Sequence, residues 1–221
     1  PIVDIDGDGR DELLWGERCI DIDTGEDIWV GNAKEWSGHS DVIQPTYDRR
    51  ADRWRLYTCR EAAAPHGAVV MYDDEGRELW GDRELGHMDM GWTARIGPDG
   101  EHRCYALEIG AKAAGPGGFS RSVDRQLLFD IDGRPLEPPF DLYQSVPVDF
   151  TGDGRHELFY AEGERAGAVV DAGGRELARL EGRPAYGGRI LDAPGEQIVT
   201  WDAGGAVRVY AWPDAVETPE A

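Results

Sequence analysis

A chain of 221 residues can bury a substantial core as one domain or two. Its 30 glycines and 13 prolines break many short apolar runs, which favours an all-β class over helices. The formal net charge of −21 argues against a nucleic-acid partner, since a phosphate backbone needs a basic face. It still allows an acidic ligand where a bound cation or a local Arg cluster intervenes. No apolar run is long enough to span a bilayer, so no membrane partner is expected. Cys19, Cys59 and Cys104 show no metal-ligand spacing and lie in or beside strand-like runs, which predicts buried structural thiols.

The chain opens on Asp4-Ile-Asp-Gly-Asp-Gly-Arg-Asp-Glu12, between the apolar pairs Ile2-Val3 and Leu13-Leu14. Hard cations take six to eight oxygens around one point, and alternating carboxylates on a tight glycine loop supply them locally. Asp4, Asp6, Asp8 and Glu12, with the carbonyl of Arg10, are therefore the expected ligands of a Ca²⁺ ion. The design returns at Asp149-Phe-Thr-Gly-Asp-Gly-Arg-His-Glu157, where Asp149, Asp153, Glu157 and the Thr151 hydroxyl form a weaker set with one carboxylate fewer. The simplest role for both is to staple loops.

After the first loop each unit runs through a second strand into a hairpin whose turn holds glycine. Gly25 to Trp29 and Gly76 to Trp80 place a tryptophan on the return strand, as expected of a core Trp between repeats. Units start near residues 1, 42, 92, 146 and 188, a period of about 40–55 that suits a four-stranded propeller blade with insertions. The expected architecture is an all-β propeller over residues 1–212, with four to five blades of a larger ring and a disordered tail over 213–221. Because Pro1 stands directly before a metal-type loop, the sequence is expected to be an internal piece of a longer protein. The segment 110–118 is predicted to be a flexible insertion.

Two matching phrases carry the candidate chemistry. Gly38-His39-Ser40-Asp41 and Gly86-His87-Met88-Asp89 each follow a Trp-ended hairpin and precede the next unit's first strand. Equivalent positions in successive repeats place His39, Asp41, His87 and Asp89 at one mouth, as a general base or a further metal site would require. The blander alternative is hydrogen bonding between repeats. Arg60 and Arg95 are candidates to bind a substrate carboxylate, and His66 is assigned to the same substrate-binding group. His102 and His156 are expected to be exposed in turns.

The acidic loop, Gly38-His-Ser-Asp41, Tyr57-Thr-Cys-Arg-Glu61 and the run from His66 to Trp80 together resemble the rhamnogalacturonan lyases of polysaccharide lyase family 11. The likeness is best over residues 1–100; beyond them only Asp149 to Glu157 matches. The family's Gly-His-Gly-Asp is Gly-His-Ser-Asp here, and Tyr47-Asp-Arg-Arg-Ala-Asp52 replaces its usual acidic loop in the second unit. The resemblance implies a calcium-dependent β-propeller, extracellular or periplasmic, that cleaves an acidic polysaccharide of the rhamnogalacturonan or pectin type by β-elimination. Such a reaction removes the proton α to a uronate carboxylate, and that carbon acid is too weak unless the carboxylate is neutralised. His39 or His87 would be base or ligand, both roles remaining open. The rival reading is a non-catalytic calcium-binding propeller for carbohydrate or protein binding, or a detached half-propeller without activity.

Overall fold

The computed structural model describes residues 1–31, 38–61, 67–82, 84, 86–111, 113–115, 118–120 and 122–218. It divides into two compact units, one of Pro1–Thr93 with Cys104–Glu137 and one of Ala94–Arg103 with Pro138–Ala221.

Three four-stranded antiparallel sheets build unit 1. The first runs β1 (Ile2–Val3), β2 (Glu12–Leu14), β3 (Arg18–Asp21) and β4 (Asp27–Val30). The second runs β5 (Ser40–Asp48), β6 (Arg53–Arg60), β7 (Val69–Asp73) and β8 (Glu78–Asp82). In the third, β9 (His87–Ala94) and β10 (Arg103–Ile109) precede a two-stranded ribbon, β11 (Ala113–Gly115) with β12 (Gly118–Ser120), before β13 (Val123–Asp130) and β14 (Pro135–Leu136) complete the sheet. Of the segment expected to be a flexible insertion, Ala113–Gly115 form one arm of that ribbon and Gly118 begins the other.

The central sheet of unit 1 is buried on both faces, and β7 shows why. All five of its residues are buried, and successive side chains go to opposite sides. Val69 and Met71 join Tyr57, Met88, Cys104 and Phe129 in one core. Val70 and Tyr72 join Ile5, Leu14, Cys19 and Leu56 in another. A strand buried on both faces reads as a continuous apolar run, as Val69-Val-Met-Tyr does.

Unit 2 holds a four-stranded sheet, β15 (Ser145–Val148), β16 (Glu157–Tyr160), β17 (Ala168–Val170) and β18 (Glu176–Arg179), and a three-stranded one, β19 (Arg183–Gly188), β20 (Gln197–Trp201) and β21 (Val207–Tyr210). Val148, Phe150, Phe159, Val169 and Ile198 form its core. Of the segment expected to be a disordered tail, residues 213–218 are described. There the Val216 amide donates to the Thr151 carbonyl at 3.0 Å, and Glu217 pairs with Arg189.

Among the described residues one turn is used five times. Asp21, Asp73, Asp130, Asp171 and Asp202 each accept the amide two residues on through one carboxylate oxygen. The side chain so replaces a backbone acceptor and fixes the turn. A glycine at positive φ follows in each, Gly76 at 76° and Gly133 at 83° among them. These two glycines have a second duty. A Cβ at Gly76 would meet the Trp29 ring at 2.6 Å, and one at Gly133 the Trp80 ring at 2.6 Å. Each indole also donates into the turn it covers, Trp29 to the Asp74 carbonyl and Trp80 to that of Ile131, both at 3.0 Å. The expected tryptophans between repeats are therefore found within unit 1, locking one sheet to the next.

Candidate functional site

His39 lies just before β5, and the amide of Glu61, just past β6, donates to its carbonyl at 3.2 Å. Between Ser40 and Val42 the β5–β6 register shifts. A bulge of this kind re-aims a side chain, here that of Asp41. On β9, period-2 alternation sends Met88 into the core and leaves His87 and Asp89 on the other face. Gly91 allows this close approach of β9, because a Cβ there would meet the Cys59 Sγ and the Tyr105 carbonyl at 2.6 Å.

The two phrases converge. His39 Nε2 lies 3.1 Å from Asp41 Oδ1 and 2.9 Å from Glu61 Oε2. His87 Nε2 lies 3.2 Å from Glu61 Oε1 and 3.5 Å from Asp89 Oδ1. Glu61 thus spans both histidines, one oxygen to each. Donor atoms of Asp41, His87 and Asp89 all fall within 4.8 Å of one another, a spacing able to hold a metal ion. Burial, then the nearby Asp89 and Glu61 charges against the opposing His39, raises the Asp41 pKa. His39 is largely exposed at 66%, whereas the His87 side chain is 15% exposed. His87 Nε2 is buried with no aligned hydrogen bond, despite its two carboxylate neighbours. An unsatisfied buried nitrogen facing carboxylates fits a site completed by a cation.

Glu61 was not singled out from the sequence. Its signal there is its place at the end of the Tyr57-Thr-Cys-Arg-Glu61 phrase, directly after a strand-like run.

Arg60 does not serve as expected. Its side chain is fully buried and its guanidinium is taken up by Glu17, Tyr72 and the Gly67 carbonyl. Ser40 and Thr58 add their hydroxyls to the same Glu17 carboxylate at 3.1 and 3.2 Å. A guanidinium committed to a buried carboxylate cannot also reach a substrate. Arg95 belongs to unit 2 and is buried there, 3.7 Å from Asp149. His66 lies outside the described residues. His156, expected to be exposed, instead accepts the Arg95 amide through Nδ1 at 2.8 Å, and burial drives its pKa down to about 3. The three cysteines are fully buried, as expected, and burial pushes the Cys19 and Cys59 thiols up to about 12.

Of the two acidic loops, the first is the better fit to a hard cation. Oxygens of Asp4, Asp6 and Asp8 lie within 4.8 Å of one another. Asp4 is preset by the Gly7 and Gly9 amides, and Glu12 by the Ile5 amide. Arg10 gives its amide to Asp8, with its guanidinium 3.4 Å from Asp23. In the second loop Thr151 donates both its amide and its hydroxyl to Glu157, and Asp153 accepts the Arg155 amide. Asp149 Oδ1 is buried without a partner. Burial raises Asp149 to about 6 and Glu157 to about 7.

No protein-family model and no curated protein matches the sequence. Among solved structures, the rhamnogalacturonan lyase YesW aligns with a TM-score of 0.63 at 18% identity, covering 95% of this chain. The exotype rhamnogalacturonan lyase YesX aligns with a TM-score of 0.61 at 18% identity, also over 95%. The chain spans 34% and 36% of their respective lengths. The fold resemblance read from the sequence is thereby shown, distantly and over part of those proteins.

Proposed function

We propose that the five sheets are blades of a partial β-propeller, and that the protein is a calcium-dependent lyase-like protein acting on an acidic polysaccharide of the rhamnogalacturonan or pectin type. The observation that carries this reading is the convergence of His39, Asp41, Glu61, His87 and Asp89 on one cluster. His39, the more exposed of the two histidines, is the general base. Its Nε2 faces Asp41 and Glu61, which leaves the Nδ1 lone pair to take the proton α to the uronate carboxylate. The electrons left on that carbon form the double bond as the 4-linked sugar departs with the C–O electron pair, its oxygen taking a proton from solvent. Asp41, His87 and Asp89 would hold a cation, as Asp4, Asp6 and Asp8 would in the first loop. When bound beside the base, the cation supplies the neutralisation that makes the uronate carbon acid strong enough.

A non-catalytic calcium-binding propeller accounts for the acidic loops but leaves the buried, unsatisfied His87 nitrogen without a purpose. Among the described residues no helix is long and apolar enough to cross a membrane. A polymer substrate of this kind places the protein's work outside the cytoplasm, in the extracellular space or periplasm. The test is to incubate the protein with rhamnogalacturonan, pectin and ulvan, with and without EDTA. Ultraviolet absorbance of an unsaturated uronate, abolished by the chelator and restored by Ca²⁺, is the expected result. Product that persists in EDTA would remove the cation from the account.

A further inference from the structure

The second acidic loop follows the first residue for residue, with two exchanges that change its charge. Thr151 stands where the first loop has Asp6, and His156 where it has Asp11. Three acids and one arginine remain, against five acids and one arginine in the first. The His156 exchange also brings in a neighbour. Its Nδ1 accepts the Arg95 amide at 2.8 Å, and its own amide donates to the Arg95 carbonyl at 3.2 Å. These two bonds, both within unit 2, fix the Arg95 backbone against the loop.

The guanidinium then reaches the loop's first carboxylate. Arg95 Nη2 lies 3.7 Å from Asp149 Oδ2, and a Cβ at Gly154 would stand 3.7 Å from Nη1. Arg95 is 8% exposed and Asp149 3%. A carboxylate buried to that degree requires a countercharge, and the guanidinium supplies one. A Ca²⁺ ligated by Asp149 would stand within about 6 Å of it, two like charges in one desolvated space. Glu157 is committed as well, with both carboxylate oxygens accepting from Thr151. The loop is also covered. A Cβ at Gly152 would meet the Val216 carbonyl at 1.9 Å, whereas one at Gly7 or Gly9 of the first loop meets nothing within 4 Å.

We infer that Arg95 is the resident cation of the second loop, so that Asp149, Thr151, Asp153 and Glu157 are held in place without Ca²⁺. The sequence motif is kept while the ion is replaced by a side chain from another part of unit 2. The metal role proposed for the first loop does not depend on this.

The test uses the full chain. Hydrogen exchange over residues 149–157 is compared in EDTA and in Ca²⁺, and bound Ca²⁺ is counted by equilibrium dialysis. The expected result is that Ca²⁺ leaves exchange over 149–157 unchanged. Asp153→Asn should hold as many ions as the wild type, whereas Asp6→Asn, its first-loop comparison, should lose one. The Gly154 amide donates to Asp149 Oδ2 at 3.1 Å and reports on the pair. In EDTA, Arg95→Ala should speed its exchange by about tenfold or more, with Arg95→Lys retaining part of the protection. Slower exchange over 149–157 in Ca²⁺, an ion lost with Asp153→Asn, or wild-type protection of Gly154 in Arg95→Ala would overturn the inference. The calcium comparisons need no Arg95 variant, and they decide the question even where Arg95→Ala does not fold.

Discussion

Glu61 is the residue on which the candidate site turns, because one carboxylate spans two histidines of unit 1, His39 just before β5 and His87 on β9. Glu61→Gln keeps its size but removes the charge that orients both imidazoles. We expect it to lower kcat by about 10²-fold or more with little change in KM, the signature of a group needed in the transition state. A change in KM alone would make Glu61 a substrate contact instead. A second buried carboxylate has a different duty. Glu17 and Arg60 form an ion pair closed off from solvent, with Tyr72, Thr58 and Ser40 filling its remaining hydrogen bonds. Breaking such a pair from one side leaves a bare buried charge, at a cost of about 3–5 kcal/mol. Denaturant unfolding of Arg60→Met should show that loss, and the double variant Glu17→Met/Arg60→Met should recover much of it. Arg60 was legible in the sequence as a cation, but its burial was not. Nothing in Cys59-Arg-Glu61 says that Glu17, far away in the chain, would claim it.

At the scale of the element, the recurrent phrase was the most legible part of the chain. Expected unit starts near 1, 42, 92, 146 and 188 correspond to sheets that begin at Ile2, Ser40, His87, Ser145 and Arg183. Each hairpin carries its own instruction, an aspartate whose side chain caps the turn and a glycine free to take positive φ. Less legible was anything that depends on neighbouring strands. His156 reads as a turn residue in sequence, yet it lies half-buried, its Nδ1 accepting the Arg95 amide within unit 2. The bulge at Asp41 is likewise invisible without the β6 register. Gly91 is a further case. It reads as a weak spot in a strand, whereas in the fold it is the point where β9 can touch Cys59 and Tyr105. Gly91→Ala should push β9 outward and cost about 1–3 kcal/mol by overpacking. Because His87 and Asp89 ride on that strand, activity should fall further than stability alone explains. Thermal unfolding and turnover measured on the same sample check this, and an alanine variant with full activity would show that β9 need not sit so close.

For the molecule as a whole, the net charge of −21 makes the response to pH and to cations a global property. Glu157 provides a local handle on it. Burial raises its pKa from 4.5 to about 7. The folded state therefore holds this proton more tightly than the unfolded chain. That contribution is present below about pH 4.5 and is lost as pH rises through about 7. His156, driven from 6.5 down to about 3, acts in the opposite sense, its burial penalising folding as pH falls below 6.5. In EDTA, Glu157→Gln should lose less stability than the wild type between pH 4.5 and 7.5, with His156 common to both. Identical melting curves across that range would contradict the raised carboxyl.

The central claim is that the His39–Glu61–His87 cluster performs a β-elimination. Its most direct test is the ultraviolet signal of unsaturated uronate from rhamnogalacturonan, with wild type, His39→Ala and His87→Ala compared at equal concentration in Ca²⁺. The account predicts product from the wild type and a loss of about 10²–10⁴-fold in each variant, at a melting temperature that still reports a folded protein. Product formed equally well by both variants, or absent from the wild type on every acidic polysaccharide, would contradict it.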